Sequence, residues 1–285
     1  MRSENLLAWD GAAAHTCDSR PPKFGLTECS RNTTQTGMNF ENKLKNRLVR
    51  SLVRVPVKAR HAEMTYICSA DDDVSQPNDR LLDLALSAVS TARKIDLGSI
   101  SVRMQSAPRW PDVWPGEHYR LLAGLVKVLK PKNIIEVGTF QGLGSLALLA
   151  EMEPGSVLTT LDIAPWKTIP GVCLRDADFG DGRLRQVIGD LADPRFFAQF
   201  SETLREADLI FADGPKDVTF ERELVRLFSG FRFNRPPIVV FDDIRVMNML
   251  DIWRSIDRPK LDLTSFGHWS GTGVVDWTNE PHPGR

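Results

Sequence analysis

The chain has 285 residues, of which 42% are hydrophobic, and its formal net charge is −1 at pH 7. A chain of this size can bury one large core and still carry an extension. Its balanced charge lacks the basic excess that is typical of nucleic-acid-binding proteins, so no nucleic-acid partner is expected. The four cysteines are scattered, and no apolar run suits a signal peptide or a membrane span. We therefore expect a cytoplasmic protein without stable membrane insertion.

The first third of the chain predicts an extension to a larger domain. Residues 1–38 are polar and rich in Ser, Thr, Asn and Pro, a composition typical of disorder. Residues 40–60 form a basic amphipathic pattern, which could lie on a membrane but more often packs on its own domain or on a second subunit of a homodimer. Residues 78–94 predict another helix, with Asn78 as its N-cap. Its inward face is predicted to comprise Leu81, Leu82, Ala85, Leu86 and Val89.

Two tryptophans, Trp110 and Trp114, stand among prolines just before the first core helix. They could wall a pocket for an aromatic ligand, or they could equally pin the extension to the core. We place boundaries after residues 38 and 114, which gives a disordered segment over 1–38, a helical extension or cap over 39–114 and a main domain over 115–285.

The stretch from Asn133 to Gly144 is the most informative in the chain. An apolar run predicts a strand, the glycines that follow predict a tight turn, and residues 143–152 predict a helix. A dinucleotide fingerprint does not fit, because Phe140 would stand where the second glycine of G-x-G-x-x-G is required. Glu136 suits a cationic ligand better than a phosphate. The pattern E-x-G-x-x-x-G that it begins therefore favours S-adenosylmethionine, which carries an amino group and a sulfonium.

Acids also close the next two predicted strands. Asp162 follows the strand 156–161, at a position that commonly binds ribose hydroxyls in doubly wound sheets, although it could also be a loop or N-cap acid. Ile163 would then lie against the adenine. Asp190 follows the strand 183–188 and is equally well interpreted as a contact to the adenine edge or as a helix cap.

Two later strands end in clusters of acids. The near-continuous apolar runs 207–212 and 237–241 predict parallel strands that are covered on both faces. They end at Asp213 and at the pair Asp242 and Asp243. If these strands are neighbours, the three carboxylates converge at one edge of the sheet and repel each other unless a cation intervenes. Ligands that are all oxygen atoms suit Mg²⁺.

In this order, the motifs resemble those of the catechol and caffeoyl-CoA O-methyltransferases, over roughly residues 115–280. The resemblance implies a class I, S-adenosylmethionine-dependent and Mg²⁺-dependent methyltransferase. It also implies an α/β, Rossmann-like fold: a seven-stranded, mostly parallel sheet with helices on both faces and an antiparallel C-terminal hairpin. The main domain, 115–285, would then be the catalytic domain that binds S-adenosylmethionine.

The resemblance and the strand-end reasoning together give candidate site residues. The candidates for cofactor binding are Glu136, Gly138, Thr139, Gly142, Asp162, Ile163, Asp190 and Asp213. By resemblance, Asp213, Asp242 and Asp243 would hold the metal, and Lys216 would match the catalytic lysine. One departure is that the family usually has Asp-Asn where this chain has Asp242 and Asp243.

The predicted reaction is Mg²⁺-assisted O-methylation of a small hydroxylated acceptor. Lys216, held near a cation, is expected to lose its proton more easily than a free lysine and to act as general base. Two alternatives stay open: a metal-independent methyltransferase that uses His268 or Lys216 alone, and a catalytically silent S-adenosylmethionine-binding or scaffold protein. His118 and His268 are expected to be structural, although His268 could reach the site from the last hairpin.

Overall fold

The computed structural model describes residues 76–105, 108–112, 117–246 and 249–278. All of them belong to one compact unit, which spans residues 65–285. The predictions of disorder over 1–38 and of a basic helix over 40–60 fall outside the described residues, as does Trp114.

A sheet of seven strands organises the described part of the chain, in the spatial order β3-β2-β1-β4-β5-β7-β6. The first five strands pair in parallel, whereas β7 runs antiparallel to both β5 and β6. The strands are β1 (Asn133–Val137), β2 (Val157–Asp162), β3 (Leu184–Ile188), β4 (Leu209–Ala212), β5 (Ile238–Asp242), β6 (Lys260–Asp262) and β7 (Thr272–Asp276). The predicted fold, a mostly parallel sheet closed by an antiparallel pair, is confirmed.

Helices cover both faces of this sheet. They are α1 (Asp79–Ala92), α2 (Gly98–Ser101), α3 (His118–Leu129), α4 (Leu143–Ala150), α5 (Pro194–Arg205), α6 (Thr219–Ser229) and α7 (Met249–Ser255), with single 3₁₀ turns at Trp110–Asp112, Trp166–Thr168 and Asp176–Phe179. One core cluster joins α1, α3 and α4 to the sheet, and a second joins α5, α6 and α7 to it. Because both faces are covered, β4 and β5 are buried along their whole length, as their unbroken apolar sequence predicts.

The helix α1 confirms one sequence prediction and corrects another. Asn78 caps it, since its side chain accepts a hydrogen bond from the backbone N–H of Leu81 at 2.9 Å. The predicted inward positions Leu82 and Leu86 are wrong, because their side chains are exposed, Leu86 by 71%. The buried face instead comprises Leu81, Leu84, Ala85, Ala88 and Ala92.

Close packing against α3 explains this choice of face. A Cβ atom on Gly124 of α3 would lie only 2.6 Å from the carbonyl oxygen of Ala88. The two helix backbones therefore approach at a glycine and a row of alanines, which leucines at those positions would prevent. This part of the predicted extension shares its core with the main domain.

The start of α1 is also bonded to the last strand. The carboxylate of Asp276 on β7 accepts hydrogen bonds from Asn78 at 2.9 Å and from Arg80 at 2.7 Å. Within the described residues, no helix combines the length and the apolarity needed to cross a bilayer.

Candidate active site

The glycine turn after β1 brings the chain against the end of β4. Gly138 adopts φ +99°, and a Cβ atom there would lie 2.0 Å from the carbonyl oxygen of Asp213. Gly142 adopts φ +81°, and a Cβ atom there would overlap the side chain of Leu174. Both positions therefore require glycine. The turn holds the end of β1 beside the end of β4, where the predicted site residues meet.

A cavity of about 780 Å³ opens at this edge of the sheet. Five of the eight candidate cofactor residues line it: Gly138, Asp162, Ile163, Asp190 and Asp213. The sequence analysis did not single out other lining residues, among them Leu191, Pro215 and Phe220. Leu191 follows the end of β3, and Pro215 and Phe220 follow the end of β4. A position just after a strand is the one sequence signal that could have suggested these residues.

Glu136, Thr139 and Gly142 are not among the residues that line this cavity. The hydroxyls of Thr139 and Thr160 are 2.7 Å apart. The carboxylate of Glu136 is buried and accepts a hydrogen bond from Ser145 on α4. Burial is the main cause that raises the pKa of Glu136 to about 8, against the opposing effect of its hydroxyl partners. In the absence of a cation, this carboxyl is therefore mostly protonated at neutral pH.

Asp162, at the end of β2, is held in a fixed orientation by the backbone. Its Oδ2 accepts a hydrogen bond from the N–H of Phe140 at 2.9 Å, and its Oδ1 accepts one from Ala164 at 3.1 Å. Each oxygen keeps a second lone pair, and the residue lines the cavity. Asp162 therefore both shapes the loop and can accept hydrogen bonds from a ligand.

The capping interpretation of Asp190 is wrong, because Asp193 is the residue that caps α5. Asp190 instead accepts a hydrogen bond from the N–H of Ala192 at 2.8 Å within the loop. It lines the cavity next to Leu191, as the adenine-edge interpretation requires.

Asp213 pairs with Lys216 where the cavity ends. The ammonium of Lys216 lies 2.5 Å from Asp213 Oδ1, 3.0 Å from the carbonyl oxygen of Gly214 and 3.6 Å from Asp243 Oδ2. Burial opposes the charge on Lys216, yet Asp213, Asp242 and Asp243 hold its pKa above the usual range. Three carboxylates therefore face the amine, whereas the sequence expectation of easier proton loss applies to Lys216 beside a bound cation and stays a prediction.

Glu221, on the first turn of α6, holds the loop that carries Lys216. One of its carboxylate oxygens accepts the N–H of Lys216 at 2.8 Å and the other accepts the N–H of Val218 at 3.0 Å. Lys216 and Val218 adopt φ of 60° and 72°, in a region that side chains rarely occupy. Backbone strain of this kind persists only where the surroundings enforce it, and Glu221 supplies that restraint.

The acids after β5 meet a histidine from the loop between β6 and β7. Nδ1 of His268 lies 3.7 Å from Asp242 Oδ1 and 3.5 Å from Asp243 Oδ1. Ser270 lies 2.6 Å from the same Nδ1 and donates a hydrogen bond to Asp243. Burial works against a charged imidazole, but the two carboxylates raise the pKa of His268 to about 9.

A second histidine, His118, faces the same acids from the start of α3. Its Nδ1 lies 3.6 Å from Asp242 Oδ1, and both side chains are buried. Among the described residues, neither of these two atoms finds a hydrogen-bond partner. The rings of His118 and His268 are 5.3 Å apart. The expectation that His118 is structural missed this convergence, whereas the alternative that His268 reaches the site from the last hairpin agrees with it.

Aromatic side chains surround His268 on its outer side. The ring of Trp269 lies 5.5 Å from it and the ring of Trp110 lies 6.3 Å from it. Both tryptophans are exposed, by 58% and 37%. Trp110 therefore lies beside His268, and both of its predicted roles, as a pocket wall and as a pin for the extension, stay predictions.

The residues that could hold a divalent cation form a compact group. Within the described ranges, Asp242, Asp243 and His268 each offer a ligand atom, and these atoms lie within 4.8 Å of one another. The two carboxylates, with the unpartnered atoms Oδ1 of Asp242 and Nδ1 of His118, fit a cation. Asp213 lies next to this group, but its nearest charged partner is Lys216.

The glycine turn after β1, the acids at the ends of β2, β4 and β5 and the strand order define a class I methyltransferase. Comparison with known proteins gives a more specific assignment. No family model matches the chain. A Mycolicibacterium vanbaalenii protein that carries an O-methyltransferase name is 30% identical over 171 residues, which are 59% of this chain and 67% of that protein. A relative with the same name from Mycobacterium sp. (strain KMS) is 28% identical over 162 residues, 56% of this chain and 67% of its own.

Among solved structures, the S-adenosylhomocysteine-bound methyltransferase PaMTH1 of Podospora anserina matches with a TM-score of 0.43 and 15% identity, over 86% of this chain and 99% of its own. The O-methyltransferase TomG of Streptomyces achromogenes, in complex with S-adenosylmethionine, matches with a TM-score of 0.43 and 16% identity, over 72% and 92% of the two chains. On the strength of the sequence relatives, this chain belongs to the O-methyltransferase family.

Proposed function

We propose that the protein transfers a methyl group from S-adenosylmethionine to a hydroxyl oxygen of a small-molecule acceptor, with a divalent cation held at the acid group. The observation that carries this proposal is the position of Asp213. Its carboxylate lines the cavity and also binds Lys216, beside Asp243. A ligand in the cavity and an acceptor over the acid group would therefore be neighbours.

The chemistry of the cavity supports S-adenosylmethionine. Its volume of about 780 Å³ lies within the usual range for small-molecule sites. Asp162 is oriented to receive ribose hydroxyls, and the apolar side chains of Ile163 and Phe220 suit an adenine ring. The carboxylate of Asp213 suits the cationic methionine end. Glu136 is buried near the end of β1, just before the glycine turn that would hold this end of the cofactor.

The acid group supports a role for a cation at the acceptor. Asp242 and Asp243 supply oxygen ligands, and the resemblance to metal-dependent enzymes implies Mg²⁺. When bound, such a cation would lower the pKa of an acceptor hydroxyl and fix its position. There are two candidates for the third ligand: Asp213, by resemblance, and His268, by proximity.

Lys216 is the proposed catalytic residue. Without a bound cation, Asp213, Asp242 and Asp243 raise the pKa of Lys216 and favour its cationic form. In that state its charge favours a deprotonated acceptor oxygen, whereas action as general base requires that it first loses its proton.

Trp110 and Trp269 offer ring faces beside the site, which suit an aromatic acceptor.

The cofactor assignment is tested by calorimetry with S-adenosylhomocysteine. Asp162→Ala should weaken binding by about 1–3 kcal/mol, the usual cost of losing hydrogen bonds to a charged group. Asp251→Asn, at an exposed position on α7, is the matched control and should bind as the wild type does. Binding of NAD without any response to S-adenosylhomocysteine would overturn the assignment.

The reaction is tested by methyl transfer from labelled S-adenosylmethionine to a panel of catechols and other hydroxylated compounds, with and without a chelator. Turnover should require a divalent cation. Full turnover in excess chelator would favour the metal-independent alternative. Binding of S-adenosylhomocysteine without turnover on any acceptor would favour the silent binding protein.

A further inference from the structure

We propose that the cation site of this protein is a mixed carboxylate–imidazole site, built from Asp242, Asp243 and His268 with His118 beside them, and that it prefers a late first-row transition metal such as Co²⁺ or Zn²⁺ to Mg²⁺. This inference rests on the proposed function and names the ligands and the metal class of the same site. It differs from the three-carboxylate set that the sequence resemblance implies.

The distances within the group are those of ligands around an ion. Nδ1 of His268 lies 3.7 Å and 3.5 Å from the nearest oxygens of Asp242 and Asp243, which is too long for good hydrogen bonds. Two ligand atoms that each lie about 2.1 Å from one ion are separated by roughly 3.0–3.6 Å when their angle at the ion is about 90–120°. The separation of 3.5 Å falls in this range and that of 3.7 Å lies just above it, so a small adjustment of the side chains would let the group enclose an ion.

His118 provides an independent observation. Its side chain is 4% exposed, and its Nδ1 points to the 7% exposed carboxylate of Asp242 from 3.6 Å. Neither Nδ1 of His118 nor Oδ1 of Asp242 has a hydrogen-bond partner in the described part of the chain. Buried polar atoms without partners are rare because desolvation is costly. An ion between them would satisfy both atoms and bring a second imidazole to the site.

Asp213 is engaged elsewhere. Its Oδ1 accepts a hydrogen bond from the ammonium of Lys216 at 2.5 Å, so a cation at Asp213 would have to displace or approach that ammonium. The competitor at Nδ1 of His268 is a neutral hydroxyl and not a charged group, and a cation would have to displace that contact. Ser270 lies 2.6 Å from Nδ1 of His268 and donates a hydrogen bond to Asp243, which keeps the ring and the carboxylate adjacent before an ion binds.

The ligand types then select the metal. Mg²⁺ binds oxygen ligands almost exclusively and retains several waters. Imidazole suits Zn²⁺ and its neighbours, and affinity for nitrogen-containing sites rises from Mn²⁺ through Co²⁺. One or two imidazoles beside two carboxylates therefore favour Co²⁺ or Zn²⁺.

The test is titration of the full-length protein with Co²⁺ and with Mg²⁺, followed by calorimetry and, for Co²⁺, by visible absorption. The wild type should bind Co²⁺ at least about 100-fold more tightly than Mg²⁺. His268→Ala should weaken Co²⁺ binding by at least about tenfold and change the visible spectrum, while Mg²⁺ binding changes little. Asp213→Ala should weaken Co²⁺ binding less than His268→Ala does, because Asp213 is not a ligand in this arrangement.

Two controls keep the result interpretable. Asp251→Asn, exposed on α7, should bind both metals as the wild type does, and the His268→Ala variant should still bind S-adenosylhomocysteine. If Asp213→Ala abolishes metal binding while His268→Ala does not, the site is the oxygen-only one and this inference fails, although the proposed function stands. If neither metal binds while S-adenosylhomocysteine does, this inference and the metal-assisted part of the proposed function both fail.

Discussion

The buried carboxyl of Glu136, just before the glycine turn, is expected to make the free energy of unfolding depend on pH. Its folded-state pKa of about 8 lies above the unfolded value of 4.5. The protonated group therefore contributes stability that is complete below pH 4.5 and is lost as the pH rises towards 8. The shift sets an upper limit of about 5 kcal/mol on this loss.

Glu136→Gln removes the titration but keeps a group that can accept the hydrogen bond from Ser145. We expect the variant to lose less stability than the wild type between pH 5 and pH 8, and to be the more stable of the two at pH 8. Urea denaturation at both pH values measures this difference. Parallel pH profiles for the two proteins would show that the carboxyl is ionised in the folded state.

At this scale, sequence reasoning could predict residues that stand at strand ends. Asp162, Asp190, Asp213, Asp242 and Asp243 each follow an apolar run, and each lies at the predicted edge. His118 and His268 could not be assigned in the same way, because they are separated by some 150 positions in the sequence and meet only through packing of α3 beside the loop between β6 and β7.

At the scale of the element, the contact between α1 and α3 depends on one glycine. Gly124→Ala places a Cβ atom 2.6 Å from the backbone oxygen of Ala88, which cannot move without shifting α1. The overpacking should cost about 1–3 kcal/mol and outweigh the gain in helix propensity of about 1 kcal/mol. We expect a net loss of stability in thermal or urea unfolding.

Leu86→Ala on the exposed face of α1 is the matched control, and its effect should stay within about 0.5 kcal/mol. If Leu86→Ala is the more destabilising change, the outer face of α1 is covered in solution. The sequence alone could not choose between the two faces of α1, because leucines occur on both. Gly124 on α3 determines which face of α1 is buried. A periodicity argument within α1 cannot take a residue on another helix into account.

At the scale of the whole molecule, α1 belongs to the core of the catalytic unit. A protein that begins at residue 39 should melt as the full chain does, because the composition of residues 1–38 predicts no packed core. A protein that begins at residue 117 loses the buried leucines of α1 and both bonds to Asp276. It should aggregate or unfold without a cooperative transition, as differential scanning calorimetry would show. A sharp transition near that of the full chain would instead make α1 a dispensable cap.

The position of β7 has a consequence for how the protein is made. This strand, which ends at Asp276, lies between β5 and β6, so the ribosome delivers an inner strand of the sheet after both of its neighbours. Until residues 272–276 emerge, the edge of β5 has no partner on that side and can pair with other chains. The buried Trp277 and the bonds from Asp276 back to the start of α1 also form only then. The sheet of the nascent chain thus stays open between β5 and β6 until residues 272–276 have left the ribosome.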